Sequence, residues 1–172
     1  MNQRSTIYGI CMVLSLLLVR PAGAHLMPTG KGTLNIRGDA VFMVLSLPIS
    51  AFPQLDRSGD GKVSIDEFND GRAATVAAIE RGIWLDDGFA RLAPEHILLA
   101  PEEAHQGEGI GDVSILAKFS LSAAGATPTH FTMQLFGHDQ PRMIISASQK
   151  ESGRESSVTL SPDDPEGEFS WM

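Results

Sequence analysis

From Asp112 to Leu121 the sequence reads DVSILAKFSL. Every second residue is apolar: Val113, Ile115, Ala117, Phe119 and Leu121. Side chains alternate between the two faces of a strand, so this period of two predicts a strand with one face buried. A strand of that kind has to cover its apolar face with another layer. The rest of the chain offers mostly further short strands for the purpose. Thr33 to Ile36 and Ala40 to Leu47 flank Arg37-Gly38-Asp39, which reads as a tight hairpin turn. IWLDDGFARL reads as a hairpin across Asp86-Asp87-Gly88, and HFTMQLFG, RMIISASQ and SSVTL follow as short strands. AGATP, GHDQP and KESGR punctuate them. The segment Pro101 to Asp112, PEEAHQGEGIGD, reads as a surface loop. Short strands at near-regular spacing predict a mainly β chain, an antiparallel sandwich-like domain.

The first residues belong to a different kind of segment. Arg4 precedes the apolar run Ile10 to Val19, and PAGA follows with Ala22 and Ala24 at the small-residue positions of a cleavage site. The run falls short of the roughly 20 apolar residues that a membrane helix needs. Residues 1–24 therefore read as a cleaved secretory signal, and residues 25–172 as a single β-rich domain in the periplasm or outside the cell. Removing residues 1–24 takes Arg4 and Arg20 but no acid, so the net charge moves from −8 to −10. A charge of that sign argues against nucleic acid or an anionic membrane surface as a partner. The one cysteine, Cys11, leaves with the signal, so no disulfide is expected.

One stretch departs from the β pattern. SIDEFNDGRAATVAAIERG reads as a helix, with Ser64 as N-cap and Glu67 three residues on at capping-box spacing. Ile65, Phe68, Val76 and Ile79 are expected on its buried face and Gly82 at its C-cap. Gly71 is expected to weaken the middle by up to about 1 kcal/mol relative to alanine. The segment before it, SLPISAFPQL, carries two prolines and leaves room for a turn or two.

Between them lies DRSGDGKVSIDEF. Counted from Asp56, side-chain oxygens stand at positions 1 (Asp56), 3 (Ser58), 5 (Asp60), 9 (Ser64) and 12 (Glu67). Gly61 stands at 6, where a sharp reversal needs a positive φ. Lys62 at 7 can give its backbone carbonyl, and Val63 at 8 is aliphatic. Calcium takes roughly six to eight hard oxygens, and a short loop supplies them when alternate residues point inward. All twelve positions resemble the EF-hand calcium loop. The resemblance implies one Ca²⁺ held by Asp56, Ser58, Asp60, the Lys62 carbonyl and Glu67, with Ser64 acting through a water. Asp66 and Asp70 fall at offsets that point outward. A full EF-hand has a helix before the loop and usually a second hand. This chain shows neither, which favours a fixed calcium clip over a sensor that opens two helices.

Cleavage after Ala24 would leave His25 with a free amine. Amine and imidazole chelate copper, with His96, His105, His130 or His138 needed to complete the set, so a copper-binding exported protein is the alternative reading. No Gly-x-Ser-x-Gly elbow, phosphate-cradling glycine loop or His-Glu-x-x-His occurs, so no enzyme is expected. HLMP (residues 25–28) and VTLSPDDPEGEF (residues 158–169) resemble the extracytoplasmic domains of bacterial permease-like proteins related to hydrogenase and urease accessory factors. That resemblance implies a β-rich fold in an extracytoplasmic compartment.

Overall fold

The computed structural model describes residues 28–104, 108–123 and 126–171. The expected signal, residues 1–24, lies outside them, as do His25 and His105. The fold is mainly β, built as two sheets around one core. In the first hairpin β1 (Lys31–Arg37) pairs with β2 (Ala40–Pro48), closing at Arg37 opposite Ala40. Gly38 has φ 60° while Asp39 keeps a negative φ, the pattern of a two-residue type II′ turn. After β2 come two short 3-10 turns, Ile49–Ala51 and Pro53–Leu55, then the acidic loop and helix α1 (Ile65–Gly82).

The chain then returns to strands: β3 (Ile83–Asp86), β4 (Arg91–Leu92), β5 (Glu95–Glu103), β6 (Ile110–Ser120) and β7 (His130–Met133). The last three are β8 (Met143–Gln149), β9 (Arg154–Leu160) and β10 (Glu166–Glu168). Six strands form one sheet in the order β5-β6-β2-β1-β8-β9, and four form the other in the order β10-β7-β3-β4. Neighbours run antiparallel except in the middle of the large sheet. There β1 and β8 are parallel, from Lys31 beside Ile144 to Ile36 beside Gln149. The antiparallel sandwich-like expectation holds with this one exception.

Both sheets and the helix feed a single hydrophobic cluster. The odd-numbered residues of the alternating run, Val113, Ile115, Ala117 and Phe119, are buried as predicted. Leu34, Met43, Leu45 and Ile145 join them from the same sheet, Leu85, Phe131 and Met133 from the other, and Phe68 and Ile79 from α1. Among the described residues no helix is long and apolar enough to cross a membrane.

Three local expectations need correction. Pro101 to Asp112 is not one loop. Pro101–Glu103 completes β5, paired from Pro101–Val113 to Glu103–Ile110. Proline lacks the N–H for a central ladder, but β5 is an edge strand and tolerates it. Ile65 is 53% exposed, because the first residue of α1 overhangs the core. The buried positions of α1 are Phe68, Thr75, Ile79 and Gly82. Gly82 is no left-handed cap either. It is the last helical residue, and Ile83 ends the helix by donating its N–H to the Ile79 carbonyl as β3 begins. Leu135 packs closely on Gly82, where a Cβ would stand 3.0 Å from Leu135 Cγ.

Candidate metal centre

Three apolar anchors hold the acidic loop against the body of the protein. Leu55 and Phe68 are fully buried on either side of it, and Val63 within it is 5% exposed. Residues 57–62 between these anchors are exposed. Leu55 seats directly on α1 at Gly71, where an added Cβ would fall 2.2 Å from Leu55 Cδ2. The glycine that weakens the helix thus lets the start of the loop approach its own exit helix. The Val63 carbonyl accepts from Ile110 N–H at 2.8 Å. The backbone at position 8 is therefore paired with the first residue of β6, and the main sheet supplies the support that a second hand would give.

Within the loop, Gly59 and Gly61 have φ of 75° and 80°, so the chain reverses where position 6 requires it. Asp56 organises the reversal: Oδ1 accepts from Gly59 N–H at 2.7 Å and Oδ2 from Gly61 N–H at 2.9 Å. Ser58 Oγ donates to the same Asp56 Oδ1 at 3.3 Å. Asp60 Oδ1 accepts from Lys62 N–H at 2.9 Å. Glu67 reaches back across the mouth of the loop. Its Oε1 accepts from the N–H groups of Arg57 at 3.2 Å and Ser58 at 3.0 Å. Its Oε2 accepts from Ser64 N–H and Ser64 Oγ, both at 2.9 Å. Ser64 Oγ in turn accepts from Glu67 N–H, completing the predicted capping box.

This setting changes the acidity of Glu67. The amide of Ser64, then that of Ser58, hold its carboxyl at about 2, against an ordinary 4.5. Hydrogen bonds to the charged form favour it, and the positive end of the helix acts in the same direction. Glu67 is accordingly a carboxylate at any physiological pH.

Three of the expected ligands lie in one hydrogen-bonded chain. Asp56, Ser58 and Glu67 meet at the loop mouth, linked through the Ser58 hydroxyl and amide. Asp60 turns to its own strand of the loop. Among the described residues no three Asp, Glu, His or Cys side chains converge closely enough to grip a metal. The carboxylates face backbone amides instead. Asp70 pairs with the side chain of Arg57 at 3.2 Å. Lys62 Nζ lies 3.4 Å from Glu108, an exposed pair worth little.

The copper reading rests on His25, which lies outside the described residues along with His105. His96 and His138 are exposed, and the half-buried His130 lies with Nδ1 3.2 Å from Thr129 Oγ1. His96 and His130 belong to different sheets.

A second acid was read only as a turn residue. Asp87, 3% exposed, accepts from the amides of Phe89 and Ala90 through Oδ1 and of Ser122 through Oδ2. Burial pushes its pKa up. The Ser122, Ala90 and Phe89 amides outweigh burial and hold it at about 2. An Asp in a turn gives no sequence signal for the Ser122 contact, which lies 35 residues away.

Comparison with protein-family models and with curated proteins finds no match to this chain.

Proposed function

We propose that the loop from Asp56 to Glu67 binds one calcium ion and that the protein is a calcium-binding rather than a catalytic one. The observation that carries this reading is Glu67 closing the loop, its carboxylate 3.0–3.2 Å from the amides of Ser58 and Arg57. The carboxylate at position 12 thereby accepts from positions 2 and 3, and Ser58 at position 3 also reaches Asp56. The donors are hard oxygens throughout, the class calcium selects. Asp56, Ser58, Asp60, the Lys62 carbonyl and Glu67 would hold the ion, with Ser64 acting through a water.

Binding would exchange amide contacts for the cation. The N–H groups that now face Asp60 and Glu67 supply part of the positive field the ion would supply. That competition, with three carboxylates and no second hand, places the affinity on the order of 10⁻⁵ to 10⁻³ M. Glu67 and Asp87 both have their pKa held low, at about 2. Proton transfer near neutrality calls for the opposite, an acid raised toward pH 7.

The ion would act as a clip. The loop joins the turn after β2, the start of α1 and, through Val63, the start of β6. An ion that binds only the folded form adds about 2.7 kcal/mol at a hundredfold excess over Kd. For a domain of this size that is about 5–10 °C in Tm. Chelation should lower Tm by that amount in the wild type with no loss of secondary structure, and leave Glu67→Gln unmoved. A Tm indifferent to chelator in the wild type contradicts the proposal.

A further inference from the structure

Cross-strand partners share a face, and those on the outer face of the large sheet form two polar rows. Asn35 on β1 lies beside Ser148 on β8, which lies beside Glu155 on β9. Next to this row, Thr33, Ser146 and Ser157 align in the same way. A hollow of about 450 Å³ opens over these six residues. Ser148 Oγ donates to Asn35 Oδ1 at 3.1 Å, and among the described residues the Asn35 amide N–H groups and the Thr33, Ser146 and Ser157 hydroxyls have no side-chain partner.

At one end the hollow meets a second, of about 320 Å³, that shares Asn35, Ser148 and Glu155. Arg37, Lys150 and Arg154 come together there. None of these three cations lies within salt-bridge distance of a carboxylate among the described residues, where the close pairs include Arg57–Asp70 and Lys62–Glu108. Glu155 is the one carboxylate lining this hollow. The chain has 13 basic residues against 21 acidic ones, so three unpaired cations around one hollow run against its overall charge. On the other side of Asn35, its cross-strand partner Phe42 is 46% exposed.

A pyranose ring needs these two elements side by side: an apolar plate for its C–H face and amide or hydroxyl partners for its hydroxyl groups. The cations add a site for carboxylate or sulfate, where charge-assisted hydrogen bonds are strongest. We propose that the outer face of the six-stranded sheet binds an acidic oligosaccharide. Its anionic group lies over Arg37, Lys150 and Arg154, its hydroxyls over the Asn35 and Ser146 rows, and a ring against Phe42. No residue of the acidic loop takes part, so the inference stands apart from calcium.

Calorimetric titration of the full chain with a galacturonic acid hexamer, beside a neutral galactose hexamer, tests this. The acidic hexamer should bind and weaken as salt is raised. Arg37→Ala with Arg154→Ala should weaken it by about tenfold or more, one tenfold step being the scale of a single good contact. Phe42→Ala should weaken it without lowering Tm. Equal binding of the neutral hexamer overturns the proposal, as does indifference to the arginine pair or no binding of either sugar. A dimer in sedimentation that Phe42→Ala dissolves also overturns it, since a second copy would then cover the face.

Discussion

Replacing Asp87 removes a buried carboxylate that three amides converge on. Its Oδ1 takes Phe89 N–H at 3.0 Å and Ala90 N–H at 2.9 Å, and its Oδ2 takes Ser122 N–H at 2.7 Å. The first two close the β3–β4 turn, and the third ties that turn to the exit of β6. Hydrogen bonds to a charged group are worth about 1.5–3 kcal/mol each. Phe89, Ala90 and Ser122 are exposed, so water can replace part of what is lost. Asp87→Ala should therefore cost about 2–4 kcal/mol, below the sum of three bonds. Asp87→Asn keeps one acceptor oxygen. Turned toward Phe89 and Ala90, it sets its NH₂ against Ser122 N–H and loses the tie to β6, for about 2 kcal/mol. The folded carboxyl titrates at about 2 against an ordinary 3.8. A depressed folded value stabilises above the unfolded one, and that stability is lost as pH falls. The gap between wild type and Asp87→Asn in urea midpoints should be full at pH 7 and shrink steadily between about pH 5 and pH 2. A gap below about 0.5 kcal/mol at pH 7, within the range of ordinary surface changes, would refute the reasoning. So would a gap that does not change with pH.

Gly71→Ala sets helix propensity against packing. The gain is up to about 1 kcal/mol, and the overlap with fully buried Leu55 costs about 1–3 kcal/mol, so the variant should be less stable by about 1 kcal/mol. In a Leu55→Ala background the same change should turn neutral or stabilising, as a double-mutant cycle in urea would show. Arg72 donates through Nη1 and Nη2 to the Leu99 carbonyl at 3.2 and 3.1 Å, and its guanidinium lies 5.5 Å from the Phe68 ring. Arg72→Ala should cost about 1–2 kcal/mol and, by uncovering the β5 edge, raise aggregation in light scattering. Arg72→Lys should recover only part of the loss, since a single ammonium cannot reproduce the planar fork.

The parts of this fold that local pattern reveals are those whose causes are local. The period of two in Val113 to Leu121 is a property of one strand, and Gly38 fixes its hairpin within four residues. The Ser64–Glu67 box needs only its own turn of helix. The parallel contact of β1 with β8 has no such signature. It joins residues more than 100 positions apart, and neither strand reads differently for having a parallel neighbour. The split into two sheets escapes for the same reason. Pro101 disguised the end of β5, because proline argues against a strand until the strand is known to be at an edge. Gly71 and Gly82 are harder still. Their meaning lies in the approach of Leu55 and Leu135, which sequence spacing does not carry. In the acidic loop, spacing identified Asp56, Gly61 and Glu67 as the residues that close it. It did not foresee that backbone amides would satisfy their carboxylates.

Calorimetric titration of Ca²⁺ into wild type beside Glu67→Gln tests the calcium reading most directly. Glu67→Gln keeps the length of the side chain and removes the charge that closes the loop. The wild type should take up one ion per chain with a Kd on the order of 10⁻⁵ to 10⁻³ M, and Glu67→Gln should give no heat above dilution. Equal heats from the two proteins, or none from the wild type, would show that the loop is held by its own amides and that calcium has no place in it.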